Sequence, residues 1–332
     1  MTEGSNLVPP EWARQRAIWI GWPRLAEEWG GDLEPARTEI AGVVRALAAR
    51  LPVRLAVGDD AAEAAARALL GSLAQICRVP TGDIWLRDTG PIMVNSTSGP
   101  QAACFEFNGW GGKFDMPGDR ETAGAIAEAE ALPIKRYSLI LEGGALDHDG
   151  AGTVLTTREC LLNPNRNVSS EAEAEAALET ALGVRRVIWL ERGLMNDHTD
   201  GHIDNIARFI APGRVACQRP AGPDDPHAER LAEAEDSLRA AGLDVATLPA
   251  PEPVFDGAGA AMPASHMNLV FANGEILLPI FDRASGEAAA AGLAEAMPGW
   301  RVTTLPSRAI LEGGGSFHCM TCNIPEPSET AP

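Results

Sequence analysis

Basic residues are scarce. Lys and Arg number 27 against 46 Asp and Glu, which leaves a formal charge of −19 over 332 residues. Such a chain lacks the cationic surface that neutralises phosphates, so general nucleic-acid binding is excluded. Its field favours cationic ligands instead. Long apolar runs are also missing, and none approaches the ~18 residues needed to cross a bilayer. Met1–Pro10 has neither a basic stretch nor an apolar core, so no signal peptide is expected. Cysteine is sparse: Cys77, Cys104, Cys160, Cys217, Cys319 and Cys322 are too few for a disulfide scaffold, and a reduced, cytoplasmic protein is expected. Cys319-Met320-Thr321-Cys322 spells a CxxC, but no second pair accompanies it, so it is weak evidence for zinc or redox work. No long Gly/Ser or Pro linker divides the chain. A single domain over 1–332 is expected, with loose ends at 1–8 and 325–332.

Hydrophobic residues make up 45%, ordinary for a globular protein with a large core. They follow a weak repeat in which an Ala/Glu-rich helix leads into a short apolar strand. The helical stretches are Glu34–Arg50, Asp119–Leu132, Ser169–Leu182, Asp224–Ala241 and Ser285–Met297, with strands at 52–57, 133–137, 183–189, 242–248 and 299–305. An extra helix, Asp60–Leu73, and strand, Ile76–Val79, follow the first unit. Hairpins are expected at 206–218, turning at Ala211–Arg214, and at 269–280, turning at Asn273-Gly274. Five recurrences of one unit suggest a ring of ββαβ-like blades; the plainer alternative is a two-layer α/β domain.

Polar residues cluster just after the repeat strands, where ends of successive units converge and ligands commonly sit. Cys319 follows Gly313-Gly314-Gly315, which permits close approach of a ligand; it is the candidate nucleophile, given a neighbour that favours the thiolate. Its ordinary alternative is a core thiol, the reading given to Cys77, Cys104, Cys160 and Cys217. His202 and Asp204 stand two apart, on one side of an extended segment, and a histidine beside a reactive cysteine serves as acid and then base. His198 and Asp200 repeat the pair, which opens a zinc reading with His198, Asp200, His202 and Asp204; Thr199-Asp200-Gly201 argues against the helix an HxxxH site needs. His318 adjoins Cys319 and is a candidate supporting residue. Asp88 and Glu142 lie in Gly-bounded turns, where carboxylates also serve as turn caps. Asp88 and Asp204 together suit a planar cation, because guanidinium presents a fixed fork of donors. Trp85 could stack on that cation, or simply pack in the core.

The set resembles the agmatine deiminase and bacterial-type peptidylarginine deiminase family. The resemblance rests on Glu11-Trp12 with Ile18–Pro23, Trp85–Pro91, Phe107–Lys113, Leu141–Gly144, Cys160–Asn167, Thr199–Asp204, Pro263–Ser265 with Asn268, and Gly313–Cys319, spread in order over nearly the whole chain. It implies a fivefold pseudosymmetric α/β propeller, the pentein fold. It also implies hydrolysis of a guanidinium to a ureido group with release of ammonia and no cofactor. Carried over, Cys319 is the nucleophile, His202 the acid/base, and Asp88 and Asp204 the carboxylates that grip the guanidinium. Glu142 lies in the site, and Trp85, Asn268 and Trp110 line it. The expected substrate is a small cationic guanidino compound, agmatine first; peptidyl-arginine or another guanidino compound is the alternative, and a non-catalytic cation binder or a zinc hydrolase are competing classes. Neither nucleic acid nor membrane is an expected partner, while dimers among related enzymes make a homodimer an expectation. The chain departs from the family at Gln15, Ser316-Phe317 and Met320–Asn323. The chemistry residues survive these departures, and what the departures put in question is substrate specificity.

Overall fold

Pro35 opens the helix Glu34–Ala48, and its apolar positions Ala36, Ile40, Ala41, Val43, Val44 and Leu47 fall on one buried face. Burying a side chain such as Leu47 contributes roughly 1.5–3 kcal/mol. That face covers a sheet in which β1 (Gln15–Gly21), β2 (Val53–Val57) and β3 (Gln75–Arg78) run parallel. The helix Asp60–Leu70, capped by the Asp59 carboxylate at the Ala62 N–H (2.7 Å), connects the last two.

Four further units repeat one plan: an antiparallel pair, a helix, and a strand parallel to the second member of the pair. They are β4 (Ile92–Ser96), β5 (Gly99–Glu106), helix Asp119–Ala129 and β6 (Ile134–Ile140); β7 (Asp147–His148), β8 (Thr153–Thr157), helix Glu171–Leu182 and β9 (Arg186–Leu190); β10 (Ala207–Ala211), β11 (Arg214–Arg219), helix Ala228–Ala240 and β12 (Asp244–Pro249); β13 (Val270–Ala272), β14 (Glu275–Ile280), helix Arg283–Ala296 and β15 (Arg301–Pro306). Both expected hairpins form. Asn273 (φ 44°) and Gly274 (φ 90°) are both left-handed, as the tight turn between β13 and β14 requires.

The last strand, β16 (Thr321–Pro325), returns to pair antiparallel with β1, Cys322 facing Trp19 and Pro325 facing Gln15. It supplies the missing first strand of the β1 unit. The five sheets found among the described residues, 7–327, thus form a closed fivefold α/β ring in this computed structural model.

Several expectations shift. Pro325 is tied into β16, Glu326 bonds through its N–H to Arg14 O (2.8 Å), and Leu7 and Asn95 exchange backbone bonds of 2.9 Å, so the described parts of both ends are fixed. The remainder of those expected loose ends, 1–6 and 328–332, lies outside the described residues. The expected helix from Asp224 begins only at Ala228, because Asp225-Pro226 form a turn in which the Asp225 carboxylate accepts from the Ala221 and His227 N–H groups (2.9 and 2.8 Å). Cys77 is half-buried because β3 is an edge strand, and Cys160 sits on the helical turn Arg158–Leu161 rather than in a strand. No helix among the described residues is long and apolar enough to cross a membrane.

Candidate active site

Each of the five connections between blades brings its own side chains to the ring axis. The β3–β4 connection carries Asp88, β6–β7 carries Glu142, β9–β10 carries His202 and Asp204, β12–β13 carries Asn268, and β15–β16 carries Cys319. Short turns hold them in place. Leu86–Thr89 is one helical turn, Gly143–Ala145 and Ile203–Asn205 are single 3₁₀ turns, and the His202 N–H is received by Thr199 Oγ1 at 3.0 Å.

These residues converge. Cys319 Sγ accepts from Asn268 Nδ2 at 3.1 Å and lies 3.6 Å from Asp204 Oδ2. Asn268 Oδ1 in turn receives the N–H groups of His318 and Cys319 (2.8 and 3.1 Å), which fixes the backbone at Cys319. Asp88 accepts from Trp110 Nε1 and from the Gly144 N–H, both at 3.0 Å. His202 Nδ1 lies 3.7 Å from Asp88 Oδ1, and its Nε2 is 4.0 Å from Glu142 Oε2. Both ring nitrogens of His202, and Oδ1 of Asp204, are buried without a protein partner. Unpaired buried polar atoms of this kind cost about 1–3 kcal/mol each, and such atoms recur at functional sites.

Gly144 is required by this geometry. A Cβ there would stand 2.6 Å from His202 Nδ1, 2.7 Å from Asp88 Oδ1 and 3.2 Å from Asp204 Oδ2. Gly315 is similarly confined, since its Cβ would meet Trp85 at 2.6 Å and Cys319 Sγ at 3.1 Å.

The electrostatics follow from burial and from three clustered carboxylates. Burial, with Asp204 and Glu142 nearby, pushes the Asp88 carboxyl well above its ordinary range. Burial would also raise Asp204, but the hydrogen bond and charge of His318 hold it below the usual carboxylate value. Burial raises Glu142 against the opposing Arg166 guanidinium. Burial brings His202 down to about 3 and, with Asp204 and Asp88 adjoining, pushes the Cys319 thiol well up. Both shifts favour the thiol and the neutral imidazole over their charged forms. A preformed thiolate–imidazolium pair, as the cysteine–histidine chemistry suggests, is disfavoured by the shared desolvation.

Residues that lie within the quoted motifs but were given no role support the site. Arg166 is fully buried and pairs with Glu142 through Nη2 (2.9 Å) and Nε (3.1 Å), while its Nη1 reaches Asp200 at 3.2 Å. Asp200 is further held by Lys113 and by Asn165, and Arg166 was visible only as part of the Asn163–Asn167 run. Glu11 accepts from His318 Nε2 (2.8 Å), Arg87 (2.8 Å) and Arg208 (2.6 Å), and the other ring nitrogen of His318 bonds Asp204 at 2.7 Å. No spacing in the sequence links Glu11 to His318, 307 positions away.

The zinc set does not assemble. Asp200 is committed to Lys113, Asn165 and Arg166, and among the described residues the one group close enough to share an ion is Glu142, Cys160 and His202. Arg166 already occupies that Glu142.

The site opens into a cleft lined by Cys319 and Asp88 and walled by Trp85, Trp110, Phe114 and Met116. Glu28, Asp83, His198 and Thr199 also reach it, and none of its lining residues is Lys or Arg. Trp85 stacks on Trp29 (6.0 Å between centroids, 18° between planes). The positions where the chain departs from the family do not line the cleft. Gln15 is buried against Glu11 O and Phe271 O, Ser316 Oγ meets Ser307 Oγ, and Cys322 is buried in the β16–β1 pair.

The chain is similar to known proteins along nearly its whole length. The pattern of the Porphyromonas-type peptidyl-arginine deiminase family matches residues 7–325. A protein of Pseudomonas fluorescens named agmatine deiminase is 35% identical over 354 aligned positions, which span 96% of this chain and 95% of that one. Two solved structures superpose along nearly the whole chain. One is an agmatine deiminase of C. jejuni with substrate bound (27% identity, TM-score 0.91, 98% of each chain). The other is the agmatine deiminase of Enterococcus faecalis (27% identity, TM-score 0.91, 98% of this chain and 99% of that one).

Proposed function

The chain belongs to the Porphyromonas-type peptidyl-arginine deiminase family, and on that premise we propose that it is an agmatine deiminase: agmatine and water give N-carbamoylputrescine and ammonia. The observation that carries the reading is the cleft itself, with Cys319 at its base beside Asp88 and Asp204 and no Lys or Arg on its walls. Nothing there receives the carboxylate of free arginine, whereas a guanidinium meets two carboxylates suited to its fork of donors.

Binding of the cation changes the balance at sulfur. A positive charge next to Sγ offsets the burial and the two carboxylates that hold the thiol protonated, so the proton passes from Cys319 to His202 only with substrate in place. The thiolate attacks the guanidinium carbon, forming a C–S bond and a tetrahedral adduct. His202 gives its proton to one nitrogen, the C–N bond breaks, and ammonia leaves an amidino-cysteine. Water then attacks the same carbon, with His202 taking its proton. The C–S bond breaks, oxygen stays as the ureido carbonyl, and sulfur recovers a proton. Glu142, held by Arg166, orients His202. Trp110 and Gly144 aim Asp88, and Asn268 fixes Cys319. A cytoplasmic setting fits six free cysteines. A homodimer is expected by light scattering.

The test is ammonia and ureido formation from agmatine, free arginine and a short arginine peptide, with wild type and Cys319→Ala side by side. Agmatine alone should turn over, and Cys319→Ala should abolish it. Turnover of the peptide alone would transfer the same chemistry to peptidyl-arginine.

A further inference from the structure

The chemistry above uses Cys319 and Asp88 and leaves two further carboxylates on the cleft, Asp83, which accepts from Trp29, and Glu28. Glu28 lines the cleft from the 3₁₀ turn Ala26–Trp29, which joins β1 to the helix Glu34–Ala48. That turn is a rigid support. Gly30 closes it in the left-handed conformation (φ 64°), with its N–H on Ala26 O. Trp29 is buried, stacks on the cleft residue Trp85, and donates Nε1 to Asp83 Oδ1 at 3.3 Å. Gly313 leaves room for the same indole, since a Cβ there would touch it at 2.5 Å. Glu28 is thus one residue from a side chain locked into the cleft wall. Its own carboxylate is half-buried and makes no ion pair with any described residue. The cleft that Glu28 shares with Cys319 is walled by Trp85, Trp110, Phe114 and Met116, apolar surface that suits a methylene chain.

Resting on the deiminase reading, we propose that Glu28 is the specificity-determining residue that receives the primary ammonium at the far end of the substrate. The cleft then selects a compound with a cation at each end of an aliphatic spacer. A guanidino compound with a carboxylate at the Glu28 end meets like charge and no cation, and is turned away. Glu28 touches neither Cys319 nor the guanidinium, so its contribution is to binding and leaves the bond-breaking steps to the other end.

The experiment compares agmatine with 1-pentylguanidine, which has a methyl group where agmatine has its ammonium, in wild type, Glu28→Gln and Glu28→Asp. Wild type should prefer agmatine. In Glu28→Gln that preference should fall about tenfold, the size of one charge-assisted contact at a partly open position. The change should lie in KM for agmatine and not in kcat. Glu28→Asp should fall between the two. An equal preference in wild type and Glu28→Gln overturns the assignment while leaving the deiminase reading intact. Calorimetric titration of Cys319→Ser and Cys319→Ser/Glu28→Gln with both compounds measures the same contrast without turnover. Failure of the deiminase reading shows as no product from either guanidine. Failure of the Glu28 assignment shows as no loss of agmatine affinity in the double variant.

Discussion

Cys319 shows how far a residue's neighbours alter its chemistry. Its Gly-rich approach was plain in the sequence, but the burial and the two carboxylates that hold it as a thiol come from connections 115 and 231 residues upstream. The expected consequence is slow alkylation of free Cys319 by iodoacetamide near neutral pH. The rate should climb with pH without levelling off below about 9, because only the thiolate reacts and the free thiol ordinarily titrates near 8.5. Mass spectrometry of the Cys319 peptide checks this; a plateau near pH 7 would mean that a thiolate–imidazolium pair exists before substrate arrives. His202 and Asp204 were picked out by two-residue spacing on the expectation of an extended segment, whereas Ile203–Asn205 is a 3₁₀ turn and it is that turn which presents Asp204 beside His202. Glu11 and Arg166 were given no role, since a lone Glu near the start and an Arg in an Asn-rich run resemble ordinary surface charge until the fold brings them to Asp204's histidine and to Glu142.

At the scale of elements, the helices and the parallel strands that follow them were legible, because apolar period, caps and glycine stops are local signals. Ser170 accepts from the Glu173 N–H at 3.2 Å, and Gly183 (φ 70°) closes the same helix by donating to Glu179 O at 3.0 Å. Gly183→Ala should lower stability by about 1–2 kcal/mol, the left-handed cost for a residue with a Cβ. It should appear as a lower urea midpoint at unchanged slope and unchanged kcat, because the helix lies outside the cleft. β1 and β16 were harder to read. Each lacks its own hairpin partner in sequence, and the pairing that makes them strands joins the two ends of the chain.

For the whole molecule, the −19 charge takes on a role once the cleft is known. Acidic composition alone is compatible with mere solubility. An acidic molecule whose cleft is lined by Glu28, Asp83 and Asp88 should draw in a dication by long-range attraction. Raising salt from about 20 to about 500 mM shortens the screening length several-fold. kcat/KM for agmatine should fall over that range, and more steeply than for the monocationic 1-pentylguanidine. Stopped or steady-state ammonia assays at fixed pH measure both slopes; equal slopes would mean that the field plays no part in capture.

Taken alone, the sequence carried the recurring helix–strand unit and the helix boundaries to within a few residues, and its resemblance to a known family supplied the side chains that meet at the axis. Each of these rests on near neighbours or on motifs that lie within a single connection. The tertiary structure decided ring closure by β16 on β1, the Arg166 clamp on Glu142, the Glu11–His318–Asp204 chain and the place of Glu28 on the cleft. It also decided the burial that lowers His202 and raises the Cys319 thiol. Those features depend on which residues become buried against one another from distant parts of the chain, and desolvation and long-range pairing leave no periodic trace in the order of amino acids.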